Sequence, residues 1–461
     1  MSTLVAAALA AFAFPAHALD LPDTPAGRAL ASWMNALNAG DLAKMQAHVD
    51  AYRRKSSAKD YLALHEVFGD LSVLKIEKNE PNDIVVILGE SIADDVLRAE
   101  YKTDPNDPMK LDPLVAGTDR PDDLAIPRIA QDEALKAMSA RADKLSAEDK
   151  FMGVELVESH GKVLLEKAWG YGDREANIPL AVTDKFRLGS MNKMFTAVAT
   201  LQLVGQGKLS LDGTVGRYLP GYPNKEVADK VTIRMLLTHV GGTGDIFGEA
   251  FDKHRLELKT LDDYVKLYGA RGPEFPPGAQ TAYSNYGFIL LGVVIGKVSG
   301  EDYYDYVRDH IFKPAGMTDT GSLPEIENVP GRVKGYMQKD GKWVPNTETL
   351  PWRGTSAGGG YSTLADLLGF AHAMMDGKLL PGDLRDAATR SETKGDWYGY
   401  GFQVHGTGLA HSYGHTGGAP GMATELRVYP AAKTVVIELE NIDPGAPAVG
   451  SYYANRMPLV P

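Results

Sequence analysis

The chain of 461 residues contains no cysteine. Disulfides, thiolate nucleophiles and zinc sites built on thiolates are excluded with it. Positive charge is in deficit too: Lys and Arg number 48 against 60 Asp and Glu, a net charge of -12. No stripe of clustered Lys and Arg offsets this, so nucleic acid is not an expected partner. No run beyond the N-terminus reaches the ~18 apolar residues of a membrane-spanning helix. Internal repeats and low-complexity tracts are also missing. What remains is 44% hydrophobic and 23% charged, the make-up of a soluble globular protein with room for two domains.

The N-terminus carries a compartment signal. "LVAAALAAFAF" (4–14) is an apolar run too short to span a bilayer, and "AHA" (16–18) follows it. Together they form the apolar region and small-residue cleavage pattern of a secretory signal, although the Met-Ser-Thr start has no Lys or Arg. Residues 1–18 are read as a signal peptide and the protein as periplasmic or secreted. No cysteine follows the cleavage pattern, so a lipoprotein anchor is excluded.

After the signal, residues 19–120 read as a small α+β domain. Two helices broken at Gly40, with Asp41 as cap, precede the strand-like runs "LSVLKIEK", "DIVVILGE" and "VLRAEYKT". The order resembles the cystatin-like fold. The Pro- and Asp-rich passage from Lys102 to Pro127 looks like a linker, with 121–132 joining the domains. From residue 133 to 461 a second organisation appears. A helix leads into the hairpin "GVELVES"–"HGK"–"VLLEKAWGY", a helical middle follows, and strands return at "GFQVH", "AHSYGH", "MATELRVYP" and "TVVIELEN". Strands at both ends imply one antiparallel sheet with the helices on its face.

Within the helical middle, "FRLGSMNKMFTAVAT" (186–200) sets a hydroxyl and an amine three residues apart. Ser-x-x-Lys occurs five times, at Ser56/Lys59, Ser72/Lys75, Ser159/Lys162, Ser190/Lys193 and Ser391/Lys394. Only Ser190 stands at the mouth of a long apolar helix. Residues three apart share a helix face. Burial and the positive end of the helix dipole both disfavour an ammonium there, so Lys193 can lose its proton near neutral pH and serve as base for Ser190. The plainer alternative is a serine N-cap with a lysine reaching solvent.

Tyr283-Ser284-Asn285 precedes a second apolar helix, and His415-Thr416-Gly417-Gly418 lies on what reads as an edge strand. Ser190-x-x-Lys193, Tyr283-x-Asn285 some 90 residues on, and His415-Thr416-Gly417 some 130 beyond resemble, in order and separation, the serine hydrolases of the class C β-lactamase type. That grouping includes D-alanyl-D-alanine carboxypeptidases and β-lactamase-like esterases. The phrases "IRMLLTHVGG", "YSNYGFILLG" and "AGGGYSTLADL" extend the likeness over residues 133–461. The resemblance implies an α+β fold of the penicillin-binding transpeptidase kind, an antiparallel sheet flanked by helices with a helical subdomain. It implies a catalytic set of Ser190 as nucleophile, Lys193 as base and Tyr283 as acid and base if cations stabilise its phenolate. Asn285, His415, Thr416, Gly417 and Gly418 would bind substrate, with the N–H groups of Ser190 and Gly418 as oxyanion hole. No metal or organic cofactor is required. The departure is His415, where better-known members have lysine. A neutral imidazole holds a substrate carboxylate more weakly, which favours an esterase or D-amino-acid amidase over a β-lactamase. On this reading, His415→Lys raises turnover of carboxylate-bearing substrates.

Other matches have simpler readings. "GTSAG" (354–358) lacks the strand and helix that a hydrolase elbow needs, so Ser356 is a loop residue. His405, His411 and His415 do not have a zinc spacing, and His239 reads as structural at a helix end. The expected activity is hydrolysis of an ester or amide of a small molecule or peptide through an acyl-enzyme. One alternative is a catalytically silent binding protein that kept the fold. Another gives activity to the N-terminal unit as an isomerase or cyclase, for which no buried acid/base pair is visible.

Overall fold

Thr24 and Asp41 begin the two leading helices, Pro25–Asn38 and Leu42–Ala51. The Thr24 hydroxyl accepts from the Gly27 N–H at 3.1 Å, and Asp41 accepts from Ala43 and Lys44 at 2.8 and 3.0 Å, satisfying N–H groups that the helix itself cannot. Gly40 makes the break at φ 57°. The computed structural model describes residues 19–52, 57–92, 94–118, 120–339, 341–393, 397–443 and 448–461. The expected signal peptide, Ser56 and Lys394 lie outside these residues.

The chain divides after Ala125 into two units. In the first, a third helix, Ala58–Phe68, is followed by an antiparallel meander of Leu71–Glu80, Asp83–Glu90, Val96–Asp104 and Asp107–Gly117. Trp33, Leu37, Ile84, Val86, Leu88 and Tyr101 make its core. The last strand corrects the reading of Lys102–Pro127 as a linker. Among the described residues Asp107–Gly117 pairs only with Val96–Asp104, at the sheet's edge, where prolines lacking an N–H can be carried.

In the second unit a six-stranded antiparallel sheet runs, in space, Gln403–His405, Ser412–Ala419, Met422–Tyr429, Thr434–Glu440, Gly153–Ser159 and Lys162–Trp169. The C-terminal strand Thr434–Glu440 pairs with Gly153–Ser159 throughout its length, so the two ends of the unit meet as the strand pattern implies. Alternation along Thr434–Glu440 sends Val435, Ile437 and Leu439 into the main core. Val436, Glu438 and Glu440 point the other way, where Gly450 of helix Ala448–Ala454 lies over Glu438 and Val436. The strand bearing His415 is not at the edge. Gln403–His405 covers it, but only along Ser412–Gly414. Among the described residues, His415–Ala419 therefore have no strand partner on that side.

Two apolar helices fill the core. Asn192–Gly205 and Asn285–Ser299 pack against each other and are buried over most of their length. Ser284 caps the second, accepting from Gly287 at 3.0 Å. Both helices present their N-terminal residues toward the strand Ser412–Ala419 and the loop around Ala357, and there the candidate site forms. Among the described residues, no helix is long and apolar enough to cross a membrane.

Candidate active site

Gly189 adopts φ +52° and opens a single turn, Gly189–Met191, that feeds helix Asn192–Gly205. A side chain at Gly189 would stand 2.9 Å from the Gly418 nitrogen, and one at Gly417 would meet the Leu188 carbonyl at 1.9 Å. Glycine at these two places lets the serine turn press directly on the strand. Thr424 fastens the contact by donating its hydroxyl to Leu188 O at 2.9 Å.

Lys193 is 0% exposed. Its Nζ lies 2.7 Å from Asn285 Oδ1, 2.6 Å from Ala357 O and 3.2 Å from Ser190 Oγ. The alternative of a lysine reaching solvent is thereby overturned. Burial pulls its pKa down to about 7, against the opposing pull of the Asp245 carboxylate. An unprotonated amine has two N–H groups and one lone pair. The amide oxygen and the peptide carbonyl can only accept, so they take the two N–H groups. The lone pair is left facing the Ser190 hydroxyl.

Asn285 owes its orientation to Asp245. The Nδ2 group donates to both carboxylate oxygens, at 3.1 and 2.9 Å, which turns Oδ1 toward Lys193. Asp245 is itself held by the N–H groups of Ile246 and Phe247 at 2.6 and 3.2 Å. Sequence reasoning missed this residue. Its only local mark is the glycine-bracketed "GGTGD", and nothing there points to a partner 40 positions on. In Asp245→Asn, the amide no longer obliges Asn285 to keep Oδ1 toward the lysine. A fall in kcat of about 10–100-fold is expected, the usual size of losing an orienting partner. Loss of the anion also lowers the lysine's pKa, so the acid limb of the pH–rate profile moves to lower pH. A parallel loss at every pH would mean only structural damage.

Tyr283 hydrogen-bonds Ser190 through its hydroxyl, and burial of that group pushes its pKa up, reinforced by Asp245. The residue is 38% exposed, its ring lies against Lys193 Nζ with the centroid 4.7 Å away, and it packs on His239 at 4.3 Å. The condition set for a phenolate, stabilisation by neighbouring cations, is not met: desolvation outweighs the Ser190 hydrogen bond that favours the anion, and the group stays a phenol. His239, with φ 58°, accepts the Ser284 N–H on Nδ1 at 3.1 Å. Burial, with Lys193 and His415 nearby, holds its pKa well below the usual value. It is a neutral platform behind the tyrosine.

His415 does not reach the cleft. It is 2% exposed. Its Nδ1 lies 2.5 Å from Thr416 O and its Nε2 2.9 Å from the Tyr398 hydroxyl. The carbonyl fixes Nδ1 as donor, so Nε2 accepts from the tyrosine. Burial and Lys193 pull the imidazole down to about 3. The expectation of a substrate anchor does not fit this placement, because the ring is buried and both of its nitrogens are used, one of them by Tyr398. A lysine there would bury a second ammonium near Lys193, so His415→Lys is expected to destabilise the site rather than recruit carboxylates. Thr416 is likewise engaged, its N–H and Oγ1 both bound to the Gln403 side chain at 3.0 Å. Gly417 packs under Leu188, and Gly418 alone of the four faces the cleft.

The cleft has a volume of about 200 Å³. Ser190, Tyr283 and Asn285 form its floor beside Gly418, and its walls include Ile246, Phe247, Phe251, Leu350, Pro420 and Met422. Ser356 is 0% exposed and its Oγ packs where a Gly292 side chain would be, 2.4 Å from that position. It is a buried loop residue. Among the described residues, no three His, Asp or Glu side chains converge so as to hold a metal ion.

Residues 139–457 match the beta-lactamase family model, and the chain belongs to that family. PbpX of Bacillus subtilis (strain 168), which bears the name of a penicillin-binding protein, is 31% identical over 351 residues, 74% of this chain and 84% of its own. Esterase EstB of Burkholderia gladioli is 30% identical over 58% of this chain and 78% of its own length. Among solved structures, a D-stereospecific amidohydrolase from Streptomyces sp. superposes with a TM-score of 0.58 at 26% identity, covering 69% of this chain and 96% of its own. The fold is that of the penicillin-binding and β-lactamase-related serine hydrolases, an α+β unit with an antiparallel sheet flanked by helices.

Proposed function

We propose that this protein is a serine acyl-hydrolase that cleaves an ester or amide bond through an acyl-enzyme on Ser190. The observation that carries the reading is the amine of Lys193, buried, poised near neutral pH and directing its lone pair at the Ser190 hydroxyl. In the first half-reaction Ser190 Oγ attacks the carbonyl carbon as its proton passes to Lys193, giving a tetrahedral intermediate and an ammonium. The N–H groups of Ser190 and Gly418 receive the oxyanion, each donor contributing about 3 kcal/mol. Tyr283, already a phenol, donates its proton to the leaving oxygen or nitrogen and recovers one from Lys193. In the second half-reaction water attacks the Ser190 ester, passing a proton to the neutral amine, and the acid departs as Ser190 regains its hydrogen. Kinship with an esterase and an amidohydrolase supports both bond types. We propose a periplasmic or secreted location on the N-terminal pattern, and a separate N-terminal domain of unassigned role.

The test is covalent labelling. A fluorophosphonate probe should add its mass to the intact protein once, on the peptide containing Ser190, and Ser190→Ala should remain unlabelled and inactive on short-chain esters. Labelling that survives in Ser190→Ala would sink the reading. An intact protein that takes no label, yet binds ligands in the cleft, would favour the silent binding protein.

A further inference from the structure

Resting on the acyl-hydrolase reading, the geometry points to a substrate class: we infer that the cleft takes an uncharged, apolar acyl group and rejects one that carries a carboxylate. Three observations meet here. First, no charged side chain and no histidine lines the cleft among the described residues, whose walls are the aliphatic and aromatic side chains of Ile246, Phe247, Phe251, Leu350, Pro420 and Met422. A carboxylate entering them loses water and meets no cation. The Tyr264 hydroxyl, without a partner among the described residues, is a single neutral donor, too little to offset one of the costliest transfers a small group can make. Second, the one histidine on the adjoining strand is buried, with both nitrogens occupied, by the Thr416 carbonyl and the Tyr398 hydroxyl. Third, the nearest carboxylate in the floor is the protein's own. Asp245 sits behind Asn285, and the amine of Lys193 is enclosed by the oxygens of Asn285, Ala357 and Ser190, so the local field does not favour a second anion.

The space suits a chain of several carbons or a single ring. Its volume of about 200 Å³ is below the roughly 300–1,000 Å³ of sites that hold drug-sized ligands. The reactive polar groups are at the floor, where the reacting carbonyl would lie. Among the described residues the rest of the lining adds only the neutral hydroxyls of Tyr264, Thr349 and Thr355, and the exposed ring of Phe247 stands at the rim, edge-on to Phe251 at 5.1 Å. That division of one reactive polar end and one apolar wall is what a fatty or aryl acyl ester presents.

The test uses two p-nitrophenyl esters of equal chain length, one ending in a methyl group (hexanoate) and one in a carboxylate (the monoester of adipic acid). The full chain is expected to hydrolyse the first with a kcat/KM at least 30 times that of the second; a ratio under 30 overturns the inference. A gain-of-function arm replaces Phe247, at the open rim, by arginine. F247R is expected to narrow the ratio at least fivefold by supplying the missing cation, and an unchanged ratio counts against the proposal. To separate this from failure of the catalytic reading, Ser190→Ala is titrated by calorimetry with hexananilide and its carboxylate-terminated analogue. Preference for the neutral anilide in a chain whose wild type forms no acyl-enzyme would retire the chemistry and keep the site. Equal binding of the two, beside an intact acyl-enzyme, would do the reverse.

Discussion

Replacing Lys193 by methionine should cut kcat/KM for any hydrolysed ester by a factor of about 10³ or more, the upper part of what a positioned general base contributes. Methionine matches the stem of the lysine and needs no hydrogen bond, so the helix Asn192–Gly205 keeps its packing while the base is gone. The wild-type pH profile gives the signature. With a pKa near about 7, the fraction of neutral amine rises tenfold per pH unit below that value and saturates above it. log(kcat/KM) should therefore climb with unit slope from pH 5 to about 7 and then level. In Lys193→Met the residual rate should lose that limb altogether. Arginine would not rescue it, since a guanidinium does not deprotonate at these pH values. A Lys193→Met protein that retains both the rate and the limb would remove the lysine from the mechanism.

The second large effect concerns stability. Glu425, Glu438 and Glu155 stand directly opposite one another on three neighbouring strands, and Glu440 lies two residues along from Glu438 on the same face. All four are buried. Glu425 is paired with Arg427, and Glu438 accepts from the Gly450 N–H at 2.6 Å. Among the described residues both oxygens of Glu155 are without a partner, and Lys167, opposite it on the outer strand, reaches Asp143 instead. Burial, with the neighbouring carboxylates, pushes Glu155 and Glu440 well up and Glu438 to about 8. A carboxyl whose folded pKa is raised holds its proton in the folded state after the unfolded chain has released it. Its contribution to stability is therefore lost as pH rises from the ordinary carboxylate range toward about 8. Glu155→Met removes one such group and fills its space. The variant should be more stable than wild type by about 2 kcal/mol at pH 8, a gain of a few degrees in melting midpoint, and nearly equal to it at pH 5. Denaturation curves at the two pH values check this. A variant that loses stability at pH 8 would show that the carboxylates are held by contacts stronger than those described.

Most of the catalytic geometry was legible because it is local. Ser190 and Lys193 are one helical turn apart, and Tyr283 and Asn285 straddle a helix cap, so spacing alone implied that each pair faces one way. What could not be read is long-range or a matter of burial. Asp245 reaches Asn285 only after folding. His415 looked like an anchor because nothing in "SYGHTGG" announces that Tyr398, from a separate loop, covers it. The strand Asp107–Gly117 was hidden by its prolines, which an edge position tolerates. The buried glutamates of "TELRVY" and "VVIELE" follow ordinary strand alternation, and their polar face reads as solvent-facing until helix Ala448–Ala454 is laid over it.

The pairing of Thr434–Glu440 with Gly153–Ser159 also sets the order of events during synthesis. The central ladder joins segments almost 280 positions apart, so it can close only once nearly the whole polypeptide has emerged, and topologies this non-local assemble slowly. Until then Gly153–Ser159 waits as an unpaired, largely apolar edge open to neighbouring chains. Nascent chains stalled before Thr434 should accordingly be the form that clumps, and the one that holding chaperones retain.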